Sequence, residues 1–221
     1  FSQIPCNGSF IPSGTAVAIG DCIQLTGNAT TQNGCAFLDS PIDFSEPFTH
    51  TMTASFGNID ANGADGICLV YQTGGVGNCG INGQGIGAQG IPNSFIVEFD
   101  TWDNGVGVSD IPADHCAVSI NGNLSNPING PVALPNIEDG NDHAITFTWN
   151  PATNGYTVAF DGNIILTGTF DIINGAFGGN ATAFWGYTSA TGAATNIHRV
   201  CPDLPGPLIV DAGINVTVPC N

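Results

Sequence analysis

Short apolar runs in this chain are separated at regular intervals by turn-forming residues. Its 31 glycines and 14 prolines fall every eight to twelve residues between runs rich in β-branched and aromatic side chains. This spacing is typical of β-sandwiches and β-barrels. No segment keeps the 3.6-residue apolar period of an amphipathic helix. The sequence therefore predicts an all-β fold, and 221 residues are enough for one such domain.

Eight runs have the length and composition of individual strands. Asp161-Gly162, between two of these runs, predicts a two-residue hairpin turn. We expect His143 and Trp149 to be packing residues, and His50 and His198 to lie at the surface or at strand ends. The predicted strands are residues 51–56, 66–72, 94–100, 116–120, 144–149, 156–160, 163–167 and 183–188.

Charged side chains are scarce and almost all acidic. They make up 9% of the chain against roughly 25% in an ordinary soluble domain, and Arg199 is the only lysine or arginine. Nucleic acids and anionic membrane surfaces are bound by clustered Lys and Arg, so the formal charge of −17 excludes both as partners. The glycine-rich loop at 73–90 has no lysine to meet a phosphate and is interpreted as a surface loop. No apolar run is long enough to span a bilayer, so we expect no membrane insertion.

Eight cysteines are dispersed along the chain without a CxxC pair. This pattern gives no support to a zinc ribbon or a thioredoxin-like site and indicates disulfides formed in an oxidising compartment. With a start at Phe1 and no leader-like segment, we expect a mature extracellular or cell-surface polypeptide. The residues alone leave open the pairing of Cys6, Cys35, Cys68, Cys79, Cys116 and Cys220.

Oxygen and nitrogen donors concentrate between residues 98 and 115. Glu98 and Asp100 alternate around Phe99, so both carboxylates leave one face of a strand. Ca²⁺ takes carboxylate, amide and main-chain oxygens, and the imidazole of His115 suits a transition metal such as Mn²⁺ beside it. Isolated acids at strand ends usually face solvent, but this concentration in a chain so poor in charge indicates a divalent-metal site.

Seven motifs, in order and spacing, resemble the L-type (legume-lectin-like) lectin family, in particular its bacterial secreted and surface branch. The resemblance covers roughly residues 9–201 and implies a concanavalin-like jelly-roll β-sandwich of two antiparallel sheets, with sugar-binding loops on one rim. The motifs are CIQLT at 22–26, PIDFSEPF at 41–48, GADGI at 63–67, VEFDTW at 97–102, DH at 114–115, NIEDG at 136–140 and FWGYTSATG at 184–192.

The resemblance also implies the metal ligands and one disulfide. A bridge between Cys22 and Cys201 is expected near the two ends of the domain. Ca²⁺ would be held by the Asp100 and Asp110 carboxylates, the Trp102 carbonyl and the Asn104 side chain. A transition metal beside it would be held by Glu98, Asp100, Asp110 and His115.

The sugar site follows from the same resemblance. The family's sugar-binding aspartate corresponds to Asp65, which is typically preceded by a cis peptide, here Ala64–Asp65. Gln84 stands where many members have a glycine. The carbohydrate-binding residues implied are Asp65, Gln84, Gly85, Trp102, Asn104, Gly192 and Ala193.

Two functions remain open. The first is a Ca²⁺-dependent carbohydrate-binding domain of a secreted or cell-surface bacterial protein, with an adhesive role. The alternative is a structural subunit of an extracellular filament or modular adhesin, because an N-terminal extension at 1–8 and a tail at 202–221 flank the lectin-like domain at 9–201. Both extensions contain a Pro-Cys-Asn motif, at Cys6 and Cys220, that could join copies of the chain.

An enzyme is the less favoured interpretation. Glycoside hydrolases also occur on concanavalin-like sandwiches and use two catalytic carboxylates. The acids Glu98 and Asp100 coincide with the implied metal ligands instead, so we expect binding without catalysis.

Overall fold

The computed structural model describes residues 8–203, which form two packed antiparallel β-sheets. The all-β jelly-roll prediction is confirmed. A single turn of helix, α1, spans Ile172–Gly175. The strands are β1 Phe10–Gly14, β2 Val17–Ile19, β3 Cys22–Thr26, β4 Asn33–Leu38, β5 Ile42–Asp43, β6 Phe48–Ser55, β7 Gly66–Gln72, β8 Ser94–Asp100, β9 His115–Ile120, β10 Asn129–Ala133, β11 His143–Asn150, β12 Gly155–Phe160, β13 Asn163–Thr169, β14 Thr182–Ala190 and β15 His198–Pro202.

The two sheets have different strand orders. One runs β1-β4-β14-β7-β8-β9-β10, with β5 added to β14, and the other runs β13-β12-β11-β6-β15-β3-β2. Neighbours in space are mostly distant in sequence, as a jelly roll requires. The expected terminal contacts at Cys6 and Cys220, and the tail at 204–221, lie outside the described residues.

Buried and exposed side chains alternate along the strands, and the buried ones form the core between the sheets. In β11 every second residue from His143 to Trp149 is buried and faces the other sheet. The indole N–H of Trp149 donates to the carbonyl of Phe44 over 2.8 Å, and the Phe44 ring packs edge-on against Phe48. Each such large side chain contributes about 1.5–3 kcal/mol of burial free energy, so this core stabilises the frame on which the loops stand.

A second apolar cluster covers the outer face of the first sheet. Strands β7 and β8 are buried along their whole length because the loop between them folds back over Val70 and Ile96 and inserts Ile86. A disulfide between Cys35 and Cys79 ties this loop to β4. The loop that carries Gln84 is therefore anchored to the sheet.

Each cysteine of the described residues either forms a disulfide or is a buried free thiol. A disulfide joins Cys22 of β3 to Cys201 of β15, the pair that the resemblance implied. Cys68 and Cys116 are buried free thiols. They cannot pair, because Cys68 lies opposite Glu98 and Cys116 lies opposite Phe99, and successive residues of a strand face opposite sides of the sheet.

Two histidines are more deeply placed than the sequence indicated. His50 lies inside β6 and is 2% exposed, so its expected surface position is wrong. Its Nδ1 lies 3.0 Å from the Tyr71 hydroxyl, and burial lowers its pKa to about 3. His198 does begin a strand, as expected, but it is fully buried. Both are neutral packing residues.

Candidate functional site

Three strands of the first sheet end together on one rim. Gly66 at the start of β7 lies opposite both Asp100, the last residue of β8, and Ala190, the last residue of β14. The segments that continue from these ends therefore meet: the residues before β7 with Asp65, the loop after β8 at 101–114, and the loop after β14 at 191–197. The register of the sheet thus gathers most of the predicted site residues.

A small acid-lined pocket lies at the end of β8. Glu98, Asp100 and Asp110 line a cavity of about 10 Å³, with Gln84 and Ser125 also on its wall. A cavity of this size holds about one water-sized particle. Ligand atoms of Asp100, Asp110 and His115 all lie within 4.8 Å of one another. The four residues predicted for a transition metal are therefore brought together.

His115 is oriented toward this pocket by its own backbone. Its Nδ1 lies 3.1 Å from the carbonyl oxygen of Ala113. A carbonyl only accepts hydrogen bonds, so Nδ1 carries the proton and Nε2 is left with a lone pair. Nε2 lies 3.8 Å from Asp110 Oδ1. This is the arrangement in which a histidine offers Nε2 to a metal ion.

Burial disfavours the ionised form of the carboxyl groups that line the pocket. It raises the pKa of Glu98 to about 8, with a further contribution from Asp110. Burial raises the pKa of Asp100 well above its usual range, and the neighbouring Asp110 adds to the effect. In the described part of the chain, Glu98 Oε2 is buried without a hydrogen-bond partner. Three clustered carboxyl groups with an unpaired buried oxygen fit a divalent cation, which would supply the missing positive charge.

The loop after β8 is folded by the same acids. Asp100 Oδ1 accepts from the Trp102 amide at 2.7 Å, and Asp110 Oδ2 accepts from the Asn104 amide at 2.8 Å. Trp102 and Asn104, both predicted Ca²⁺ ligands, are thereby held close to the two carboxylates. Their backbone placement depends on ionised or hydrogen-bonding oxygens at the pocket.

A cleft of about 210 Å³ opens beside the pocket. Six of the seven predicted sugar-binding residues lie on its wall. Trp102 is 36% exposed and presents its ring, while Asn104 Nδ2 is buried without a partner among the described residues. The cleft is lined by Ala64, Asp65, Gly83, Gln84, Trp102, Asn104, Gly192, Ala193 and Ala194.

Gly85 is the exception. It ends a short 3-10 turn, Gly83–Gly85, in which its amide donates to the Asn82 carbonyl at 3.3 Å. The turn directs Gly85 inward against Gln89, and Gly83 takes the place on the cleft wall. Gly85 is thus not among the residues that line the cleft, and its contact with a sugar stays a prediction.

Asp65 is fixed by its backbone, and its side chain lies on the cleft wall. The peptide bond Ala64–Asp65 is cis, as the resemblance implied. The Asp65 amide donates to Ala190 O at 3.0 Å, and its carbonyl accepts from Thr101 N at 3.1 Å. Burial raises the Asp65 pKa to about 7, against a lowering contribution from the Gly192 amide. Its Oδ2 is buried without a partner in the part of the chain described.

Two buried polar residues hold the rim loops, and sequence reasoning missed their role. Asn196 Nδ2 donates to Glu138 Oε1 at 2.8 Å and to Ile59 O at 2.9 Å. A Cβ at Gly63 would collide with Glu138 Oε1, and one at Gly57 would collide with Asn196 Oδ1. The pair therefore supports the 57–63 segment that leads into the cleft. Glu138 is one of only three glutamates in the chain, and that rarity was an available signal.

The fold and the rim together define a class: a concanavalin-like β-sandwich with an acid-lined pocket beside an open cleft. The chain belongs to the L-type lectin family, because the family profile described as the legume lectin beta-barrel domain matches residues 4–204. The family and the fold are those of carbohydrate-binding proteins. Within the described residues, no helix is long and apolar enough to cross a membrane.

Solved legume lectins share this fold. Lectin II from Ulex europaeus superposes with a TM-score of 0.72 at 20% identity, covering 87% of this chain and 90% of that one. The Bauhinia forficata lectin in complex with GalNAc gives 0.74 at 17% identity, with coverages of 87% and 90%. Peanut lectin with a 9-residue peptide gives 0.73 at 18% identity, with coverages of 89% and 90%. At these identities the similarity concerns the fold alone.

A bacterial surface protein shares part of the sequence. The chain is 33% identical over 85 residues to the serine-rich adhesin for platelets of Staphylococcus aureus strain MRSA252. The matching segment is 37% of this chain and 6% of the adhesin. The chain thus corresponds to a small part of that relative's length.

Proposed function

We propose that this chain is a Ca²⁺-dependent carbohydrate-binding domain of a secreted or cell-surface bacterial protein with an adhesive role. The observation that carries the proposal is Asp65, a buried carboxylate with an unpartnered oxygen on the wall of a rim cleft. A carboxylate in that position accepts hydrogen bonds from two neighbouring hydroxyl groups, which sugars offer and most other small ligands do not.

Other cleft residues complete the recognition of a pyranose. Asn104 Nδ2 is available to donate to a hydroxyl, and the exposed Trp102 ring offers an apolar surface to the C–H face of the sugar. Gly192 lies against Asp65, where a Cβ would be in ordinary van der Waals contact, 3.7 Å from Asp65 Oδ2. No step in this account breaks or forms a covalent bond, so the function proposed is binding without catalysis.

The acid-lined pocket has a supporting role in this proposal. Ca²⁺ would be held by Asp100, Asp110, the Trp102 carbonyl and the Asn104 side chain, with Glu98 and His115 completing a second, transition-metal position. A bound cation supplies positive charge that keeps the pocket carboxylates ionised. The carboxylates in turn hold the Trp102 and Asn104 amides, so the loop that carries two sugar-binding side chains stays folded.

The extracellular and adhesive setting is supported by two findings. The described residues contain two disulfides, which persist in oxidising compartments, and part of the chain is similar to a staphylococcal adhesin. We propose residues 9–201 as the lectin domain, with 1–8 and 202–221 as segments through which copies or neighbouring modules connect.

The direct test is binding to a glycan array with and without Ca²⁺, comparing the native chain with Asp65→Asn. We expect the substitution to reduce glycan binding at least tenfold, since hydrogen bonds to charged groups contribute about 1.5–3 kcal/mol. Asp21→Asn removes the same charge from an exposed turn away from the rim and serves as the matched control. Undiminished binding by a folded Asp65→Asn protein would refute the assignment of Asp65.

A further inference from the structure

The buried side chain of Glu138 packs against the backbone that leads into Asp65. Glu138 is 2% exposed, and a Cβ at Gly63 would collide with Glu138 Oε1 and with the Ile59 carbonyl oxygen alike. The main chain of Gly63, two residues before Asp65, therefore lies directly against the carboxyl group. Glu138 is not on the cleft wall, so it can act on a bound sugar only through the residues that it positions.

The Glu138 carboxyl group meets the chain at several points around Asp65. Its Oε1 accepts from Asn196 Nδ2 at 2.8 Å, and the same nitrogen donates to Ile59 O at 2.9 Å. The Thr101 hydroxyl, which is buried without another partner among the described residues, faces the same carboxyl. Thr101 N donates to Asp65 O at 3.1 Å. Glu138 therefore contacts both the segment that precedes Asp65 and the residue that holds the Asp65 carbonyl.

The surroundings of Glu138 favour its neutral form. Burial raises its pKa to about 8, and the carboxylates of Asp114 and Asp60 add to the rise, against lowering contributions from hydrogen bonds. The loop after β14 carries no titratable side chain. Asp139, next along the chain, is exposed and hydrogen-bonded elsewhere. Arg199, the only lysine or arginine of the chain, forms its ion pair away from this group.

A neutral carboxyl group can do what a carboxylate cannot at this position. It both donates and accepts hydrogen bonds, whereas a carboxylate only accepts. The Ile59 carbonyl oxygen beside Glu138 is also an acceptor only. Ionised Glu138 would therefore set a negative oxygen against that carbonyl and close to Asp60, in a place almost without water to screen it. The 57–63 segment, which leads to Asp65, takes the resulting repulsion.

We propose that Glu138, as a neutral carboxyl group, is a positioning residue for sugar binding that holds the backbone on both sides of Asp65 in the geometry of the cleft. This inference rests on the proposed function. Ionisation of Glu138 places a third negative charge beside Asp60 and Asp114. The 57–63 segment then shifts, Asp65 shifts with it, and sugar affinity falls.

The test compares the native protein with Glu138→Gln, whose side-chain amide has the shape of the neutral carboxyl group and cannot ionise. The methyl glycosides of mannose, galactose, glucose and N-acetylglucosamine are titrated calorimetrically in millimolar Ca²⁺ from about pH 6.5 to about pH 9.5. We expect affinities within about twofold of each other at the lower pH, and native protein about tenfold weaker than the variant at the higher pH. The ratio of the two affinities isolates Glu138, because Asp65 and the cation-site acids titrate in both proteins.

Glu46→Gln is the matched control. It makes the same substitution at an exposed residue before the start of β6, whereas the rim segment 57–63 follows the end of β6. This variant should follow the native protein at every pH. An affinity ratio between native protein and Glu138→Gln that does not change with pH overturns the positioning role alone. So does a folded Glu138→Gln protein that already binds weakly at the lower pH. No binding of any of the four glycosides by native protein overturns the proposed function and the positioning role together.

A spectroscopic measurement on native protein needs no variant that folds. The chain has only three glutamates, so carbon-13 placed in their side-chain carboxyl groups gives three signals to follow by NMR. In Ca²⁺ the Glu138 signal should shift over the same pH range in which glycoside affinity falls. A Glu138 carboxyl group that is already ionised at about pH 6.5 overturns the proposal.

Discussion

The carboxylates of this protein fall into two groups that meet opposite electrostatic conditions. Asp139 and Asp161 are 36% and 47% exposed and flank His143, with oxygens 3.3 and 2.9 Å from its two ring nitrogens. Glu98 and Asp100 are buried on the rim. The exposed group accepts hydrogen bonds from backbone and side-chain amides and contacts His143, and the pKa of Asp139 is lowered, chiefly by hydrogen bonds from Asn141. Burial raises the pKa of both rim acids.

The two groups of acids therefore suit different roles. The exposed acids support turns, and the buried rim acids fit a cation site. The exposed carboxylates accept hydrogen bonds from nearby backbone amides. The rim carboxylates combine burial with mutual repulsion, and the Nδ1 of His115 is engaged by the Ala113 carbonyl. Such an arrangement is costly unless a cation binds there. In a chain of formal charge −17, therefore, the position of an acid indicates a site better than its abundance.

Removing one rim acid should have the largest effect on Ca²⁺ and glycan affinity. Asp100→Ala should reduce Ca²⁺ affinity at least a hundredfold and abolish detectable glycan binding, because Asp100 lies at the pocket and also holds the Trp102 amide. Asp139→Ala removes an exposed acid and should leave both affinities unchanged. Titration calorimetry of the two variants measures both affinities. Equal losses of affinity in both variants would contradict the distinction between the two groups of acids.

A pH series distinguishes the two groups without mutation. Burial raises the Glu98 pKa from 4.5 to about 8, so the folded state holds a proton that the unfolded state releases. Its stabilising contribution is fully present below pH 4.5 and is lost as pH rises toward about 8. Above pH 6.5 the buried His50 and His198 are neutral in both the folded and the unfolded state, so the free energy of unfolding of cation-free protein should fall between about pH 6.5 and 8. Urea denaturation of protein freed of cations by chelation and gel filtration measures this.

Excess Ca²⁺ should reduce that fall, because a cation binds the ionised pocket. Burial also raises the Glu138 pKa to about 8, and its contribution remains in both series, since Glu138 lies outside the pocket. The gap between the curves with and without Ca²⁺ thus reports the rim acids. Cation-free protein that is as stable at pH 8 as at pH 6.5 would contradict the account.

The smallest effect on calcium and glycan affinity is expected at the exposed group of acids. His143→Ala breaks contacts to Asp139 and Asp161, and exposed ion pairs contribute at most about 1 kcal/mol. The His143 ring is itself buried and stacks on Phe160 with centroids 4.8 Å apart, so its truncation also costs packing free energy in the core, and the small effect concerns ligand binding. Calcium and glycan affinities should not change. A loss of either affinity would show that the exposed group supports the rim.

Much of the fold could be predicted from local pattern. β7 and β8 occupy the predicted residues 66–72 and 94–100, because each is an apolar run bounded by turn residues. β4 was missed since it begins with Asn33-Gly34, a turn signal, yet Gly34 is required there because a Cβ would collide with Leu25 O. The edge strands β2 and β10 are short and lie at the surface, β2 with all three residues exposed, and neither shows the alternation of buried and exposed residues that predicts a strand.

The site was partly predictable for a different reason. Glu98 and Asp100 share a strand, so their common face follows from alternation alone. The contact between Glu138 and Asn196 joins residues 58 positions apart and depends on how two loops fold over the rim. The 3-10 turn Gly83–Gly85, which brings Gly83 to the cleft wall, has no signal in the local pattern. Long-range loop contacts and tight turns are what local pattern does not contain.

We propose that the rim acids form a cation site on which the sugar cleft depends. Adding Ca²⁺ to cation-free protein at a hundredfold excess over Kd should raise the free energy of unfolding by about 2.7 kcal/mol. For a domain of this size that corresponds to a Tm increase of roughly 5–11 °C. The native protein should show this shift and Asp100→Ala should not. An unchanged Tm in the native protein, with no Ca²⁺ bound by calorimetry, would contradict the claim.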